Sequence, residues 1–115
     1  MKENGVPEEH IILMAYNDIA SGSDNPFPGQ IFNSPTGGNV YDETTIDYEG
    51  DAVNLQNFIA VLTGDKQTAE GPVLESNSES KVFVFFSDHG APGFVMLPTG
   101  EYLYADHLQQ TIEIM

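Results

Sequence analysis

The chain has no cysteine. It can therefore supply neither a disulfide, nor a zinc–thiolate site, nor a thiol nucleophile of its own. Basic residues are almost as scarce: 3 Lys and Arg stand against 18 Asp and Glu, for a formal charge of −15. Nucleic acid and anionic membrane surfaces need cationic side chains to neutralise phosphate, so neither is an expected partner. The longest apolar stretches run to about six residues, against the roughly 20 that a membrane-spanning helix needs. The opening MKENGVPEEHI lacks the apolar core of a secretory signal. No glycosylation sequon is present, because Asn33-Ser34 is followed by Pro35. His10, Asp88, His89 and His107 show neither H-x-x-x-H nor H-x-H spacing, so no metal or other cofactor is expected.

What is present suits one globular unit: 115 residues, 40% hydrophobic and 10% aromatic. Residues 1–10 are polar and read as the tail of a preceding element followed by a turn. IILMAY (11–16) and KVFVFF (81–86) are continuous apolar runs, the pattern of strands buried on both faces. Between them, 17–52 reads as a long surface loop dense in Gly, Pro, Asn and Ser. VNLQNFIAVLTGD (53–65) predicts a helix. Leu55, Phe58, Ile59 and Leu62 form its apolar stripe, Asn54 its N-cap and Gly64 its stop. Residues 66–80 are polar and read as a mobile linker. GFVMLPTGEYLY (93–104) predicts a hairpin turning at Pro98-Thr99-Gly100, and a helix opens at 105 with Leu108, Ile112 and Met115 on one face. Strand, helix, strand with burial on both sides implies an α/β domain with parallel strands. Two such strands and two helices imply a larger core than they can enclose.

VFVFFSDHGAPG (82–93) carries the chemistry. Ser87, Asp88 and His89 name a hydrolase triad, but adjacent side chains leaving a strand alternate faces, so Asp88 cannot stand between Ser87 and His89 as an orienter. Triad members converge from separate segments. Two readings remain for His89. It is either a strand-end histidine with its bonding satisfied, or a proton shuttle at the carboxyl end of a strand, where open α/β sheets bind ligands. Gly90, Pro92 and Gly93 beside it form a turn whose bare N–H groups could face a reacting oxygen.

VFVFFSDHGAPGFVMLPTGEYLYADHL resembles the region around the catalytic histidine of legumains, the asparaginyl endopeptidases also called vacuolar processing enzymes. Upstream, the stretch YNDIASGSDNPFPG is similar to the family's Tyr-Asp-Asp-Ile-Ala segment with its Asn-Pro-x-Pro-Gly loop. DYEGDAVNLQNFIAVLTGD resembles its Asp-Tyr-x-Gly helix. The likeness covers essentially the whole chain, with the motifs in order. Related lipid-anchor transamidases usually carry Gly-His-Gly where this chain has Ser87-Asp88-His89-Gly90, which favours legumain.

The resemblance implies a cysteine peptidase cutting peptide or protein substrates after asparagine, on a caspase-like α/β fold. It implies that His89 is the catalytic histidine, Gly90 an oxyanion-hole donor, and Asp88 the family aspartate linked to succinimide formation and ligase behaviour. It implies a vacuolar or lysosomal setting. The family's nucleophile lies in a Glu-Ala-Cys-x-Ser-Gly segment, and its first strand carries an orienting Asn; neither has a counterpart among these 115 residues. The expectation is thus a partial caspase-like fold across residues 1–115: a parallel-sheet α/β sandwich with a C-terminal hairpin, lacking the first and the nucleophile-bearing strands. The alternative is a non-catalytic paralogue that binds a peptide or protein, or the remainder of the peptidase domain, at an exposed sheet edge. Thr63-Gly64-Asp65, where some legumains carry Arg-Gly-Asp, reads as a helix cap.

Overall fold

A computed structural model describes residues 4–115, so the first part of the expected N-terminal tail lies outside the described residues. Glu8–His10 form a single 3-10 turn. The chain then enters a short strand, β1 (Met14–Ala15), which pairs in parallel with β2 (Tyr48–Glu49). Asp47 fixes this pairing: its Oδ2 accepts from the N–H of Leu13 at 2.8 Å, while its own N–H donates to the Leu13 carbonyl at 2.9 Å.

The segment 17–52 therefore holds more than loop. It carries β2 and two 3-10 turns, Glu43–Thr45 and Gly50–Ala52. Its outer part is organised by Asn25, whose side-chain amide donates to the carbonyls of Ile19, Ala20 and Gln30. Side-chain amides of this length satisfy backbone groups that a sheet would otherwise pair.

Helix α1 spans Leu55–Thr63 with the expected caps, but its buried residues are Asn57, Ala60, Val61 and Leu62, so of the expected stripe only Leu62 is buried while Leu55, Phe58 and Ile59 are half-buried. Asn54 Oδ1 accepts from the N–H of Asn57, and Gly64 closes the helix at φ +70°, a left-handed conformation that glycine adopts without a Cβ penalty. Val61 packs with Tyr48 and Val53 as the small buried core, with Ile12, Met14, Ala52 and Leu74 around it. A polar clamp reinforces that core. Buried Asn57 donates to the Ala52 carbonyl and to Glu70 Oε1, and its Oδ1 accepts from the Glu70 N–H. The phenol of buried Tyr48 donates to the Pro72 carbonyl at 2.8 Å and accepts from the Gly71 N–H at 3.1 Å. Within the polar stretch 66–80, residues 69–74 thus run against α1 and β2, and the Leu74 N–H donates to the Val61 carbonyl.

Residues 81–86 depart from the expected buried strand. They are extended without a ladder partner among the described residues, and Phe83 and Phe85 are 72% and 78% exposed. The physical reason is that a run apolar on both faces needs strands beside it and layers above and below, and no described strand pairs with it. Phe86 alone is well anchored, its ring meeting Phe58 of α1 edge-on at 5.8 Å.

The chain ends in a three-stranded antiparallel sheet, β3 (Gly90–Ala91), β4 (Phe94–Met96) and β5 (Tyr102–Tyr104), in that order, and helix α2 (Ala105–Ile114). The β4–β5 hairpin is the one expected from the sequence. α2 buries Thr111 and half-buries Leu108, whereas Ile112, expected on the same inward face, is exposed. Together the parallel and antiparallel pairs make a small α/β unit. Among the described residues no helix is long and apolar enough to cross a membrane.

Candidate active site

Asp88, His89 and Gly90 lie where the extended 81–88 segment meets β3, and all three are exposed. Both backbone groups of His89 are engaged. Its N–H donates to Asp88 Oδ1 at 2.6 Å, and its carbonyl accepts from the N–H of Met96 at 2.8 Å. The Asp88 carboxylate thus holds the backbone of the turn. Ser87 is exposed on the extended segment just before it.

Register decides what Gly90 can do. It stands opposite Val95, and the next pair is Ala91 with Phe94. Because Met96 bonds to His89, Gly90–Val95 is the pair whose own amide groups point away from each other. β3 is also an edge strand, so the Gly90 N–H is directed to the open side of the sheet. The residue must be glycine for a steric reason as well. A Cβ built there would stand 2.9 Å from the Phe94 carbonyl oxygen and 3.3 Å from the Val95 Cα.

The same register sorts the side chains. Paired residues share a face and faces alternate along a strand, so His89, Ala91, Phe94, Met96, Tyr102 and Tyr104 belong to one side. Val95 and Leu103 belong to the other, where Leu103 is buried. The amide of Ala105, first residue of α2, donates to the Gly93 carbonyl at 2.9 Å, which ties the Ala91–Phe94 turn to the helix behind it. A Pro92-Gly93 dipeptide after a strand run is a turn signal. It could have revealed β3 in the sequence; the aromatic face could not be read without the pairing.

A second feature borders the site. An open groove of about 700 Å³ runs between residues 10–16 and 82–88, floored by Phe58, Val61 and Leu62 of α1. His10 and Asp88 line its two sides. His107 lies apart, in the first turn of α2. Among the described residues, no group of three or more His, Cys, Asp or Glu is placed to hold a metal ion.

The sequence matches the Peptidase C13 family across residues 1–115. The chain belongs to that family. It is 46% identical to legumain from Bos taurus, over 97% of this chain and 27% of that protein. It is 44% identical to hemoglobinase from Schistosoma mansoni, over 100% of this chain and 26% of that protein. It is 39% identical to the vacuolar-processing enzyme delta-isozyme of Arabidopsis thaliana, over 100% of this chain and 25% of that protein. The chain spans about a quarter of the length of these curated relatives. Legumain-type Peptidase C13 proteins are cysteine peptidases, whereas these 115 residues include no cysteine.

Proposed function

We propose that residues 1–115 form part of a caspase-like peptidase domain that hydrolyses peptide bonds on the carboxyl side of asparagine. In this reading a thiolate outside the chain attacks the asparaginyl carbonyl, and the carbonyl oxygen becomes an oxyanion that accepts from the Gly90 N–H. His89 hands a proton to the nitrogen as the C–N bond breaks, so the amine leaves neutral and the acyl group stays on sulfur. Water then cleaves the thioester. Asp88 holds the turn by accepting from the His89 N–H.

The observation that carries this reading is the pairing of Gly90 with Val95 on an edge strand. It directs one uncommitted amide outward immediately after a histidine. Family membership supplies the reaction class. The open groove supports a partner as well: the remainder of the peptidase domain, contributing an extended segment between 10–16 and 82–88. The names of the relatives support a vacuolar or lysosomal setting.

The test is cleavage of an Asn-containing fluorogenic peptide at mildly acidic pH by the complete protein that carries this chain. His89→Ala should lower kcat by at least about 100-fold, the scale of lost general-acid catalysis, while His10→Ala and His107→Ala should not. Retention of near wild-type turnover by His89→Ala overturns the assignment. The same open edges favour a second reading, a non-catalytic paralogue that captures an extended peptide. An inactive complete protein that still binds the peptide would select it.

A further inference from the structure

A peptidase that reads asparagine meets asparagine in every other copy of itself, and the described chain holds its asparagines in very different settings. Five are committed to the fold. Asn17 accepts from the Tyr41 hydroxyl, Asn25 and Asn39 hold the backbone of the outer loop, and Asn54 and Asn57 hold α1. None of these carboxamides can enter a recognition pocket without local structure being lost. Asn33 is exposed, but its loop is closed at the base, where the Val40 N–H donates to the Ile31 carbonyl and the Ile31 N–H to Asn39 Oδ1. Pro35, two residues further on, has no N–H to offer an enzyme that binds extended backbone. Asn4 adjoins residues outside the described range.

Asn77 differs on each count. It lies in 75–81, which is exposed throughout and contains no proline. The stretch hangs between two anchors: the Leu74 N–H donates to the Val61 carbonyl, and the Phe86 ring meets Phe58 of α1 edge-on. Between them, among the described residues, the backbone bonds only within one turn. The Ser80 N–H donates to the Asn77 carbonyl at 2.9 Å, the Asn77 N–H to Ser80 Oγ at 3.0 Å, and the Glu79 N–H to Asn77 Oδ1 at 2.9 Å. A turn held by its own short bonds opens without disturbing the rest of the molecule, and such turns are where proteolytic nicking concentrates.

We infer that the Asn77–Ser78 bond is a substrate of the site proposed above, cut by a second copy of the protein to give two chains that stay assembled. This rests on reading that site as asparagine-specific. The bond between the Asn77 carbonyl carbon and the Ser78 nitrogen breaks, one water is consumed, and Asn77 is left with a carboxylate and Ser78 with a free amine. A second copy is required because the extended run 82–88 puts roughly 20 Å between Asn77 and the His89 turn of its own chain. The pieces hold together because contacts cross the cut: Phe86 lies on Phe58, and Glu101 Oε2 accepts from the Leu55 N–H.

The experiment incubates the complete protein at mildly acidic pH and reads its fragments by mass and amino-terminal sequencing, with an Asn-containing fluorogenic peptide as reporter. The wild type should yield a new terminus beginning Ser78-Glu79-Ser80, and the two pieces should co-elute natively and part only in denaturant. His89→Ala should stay whole alone and be cut at the same bond when a little wild type is added. Asn77→Gln, one methylene longer, should slow scission there by at least about tenfold while turning over the reporter as the wild type does. A wild type that cuts the reporter but leaves 77–78 intact, or cuts after Asn33 instead, overturns the proposal and spares the asparagine reading. Scission of His89→Ala alone also overturns it, since the cut then belongs to other chemistry. Pieces that part in native buffer overturn the assembled two-chain form. A wild type that cuts neither the reporter nor itself overturns both readings.

Discussion

Glu101 caps a helix that begins 46 residues earlier in the chain: its Oε2 accepts from the N–H of Leu55, the first residue of α1, at 2.9 Å. Asn54 satisfies the N–H of Asn57, so the two acceptors take two of the four free amides of that helix end. The carboxylate also lies at the positive end of the helix dipole. Glu101→Ala should weaken α1 by about 1 kcal/mol, and Glu101→Gln, which keeps an acceptor, by less. Amide exchange across 55–58 in the complete protein measures both. Equal exchange in all three proteins would mean that water replaces the cap.

Tyr48 links β2 to the 69–74 segment through both lone pair and proton, so its loss leaves the Gly71 amide and the Pro72 carbonyl unpaired. Tyr48→Phe should cost about 1–3 kcal/mol locally, read as faster exchange at 69–74. Burial pushes the phenol up from its ordinary value, and the charges of Asp47 and Glu70 add to that. A raised value means that the folded state holds the proton more tightly. The contribution is therefore whole below the unfolded value near about 10 and is lost as pH rises through the folded one. Exchange at 69–74 should accelerate above about pH 10 in the wild type. The Phe variant should lack that step, and an identical step in both would assign it to another group.

The sequence patterns that local chemistry dictates were legible. Asn54 and Gly64 bracket α1 because a cap and a left-handed stop act within one turn of the helix. Pro98-Thr99-Gly100 marks the β4–β5 hairpin for a similar reason, and the Gly100 N–H returns to the Leu97 carbonyl. Long-range pairing was not legible. Nothing near Tyr48 in the sequence announces that it will pair with Met14 inside an apparent loop. The apolar runs 11–16 and 81–86 were read as strands buried on both faces, but an apolar pattern specifies only what a segment needs, not whether neighbours are present to supply it. At the candidate site, the order Asp88-His89-Gly90 could be read directly. The direction of the Gly90 amide and the shared face of His89 and Tyr102 follow only from register with β4 and β5.

Phe83 and Phe85 make the isolated 115-residue chain a poor solitary molecule. Burying a phenylalanine is worth about 1.5–3 kcal/mol, and both rings stand mostly in solvent beside a backbone with no ladder partner among the described residues. The purified segment should self-associate, bind a hydrophobic dye, and give poorly dispersed amide resonances. Phe83→Ser with Phe85→Ser should reduce association without making the melt cooperative. A monomer with sharp resonances and a cooperative transition would contradict the view that this core needs more polypeptide.

Gly90 offers the sharpest separation of chemistry from fold. Gly90→Ala places a methyl 2.9 Å from the Phe94 carbonyl oxygen, a contact that only a backbone shift can relieve. The strand must move outward, carrying the Gly90 amide with it. Overpacking of this kind costs about 1–3 kcal/mol of stability. Displacing an oxyanion donor costs about 100- to 1,000-fold in kcat. In the complete protein the expected signature is a modest fall in melting temperature, a large fall in kcat for the Asn peptide, and little change in KM. Crystallographic or chemical-shift evidence of an unmoved strand with normal turnover would remove Gly90 from the oxyanion site and leave its small size a matter of packing alone.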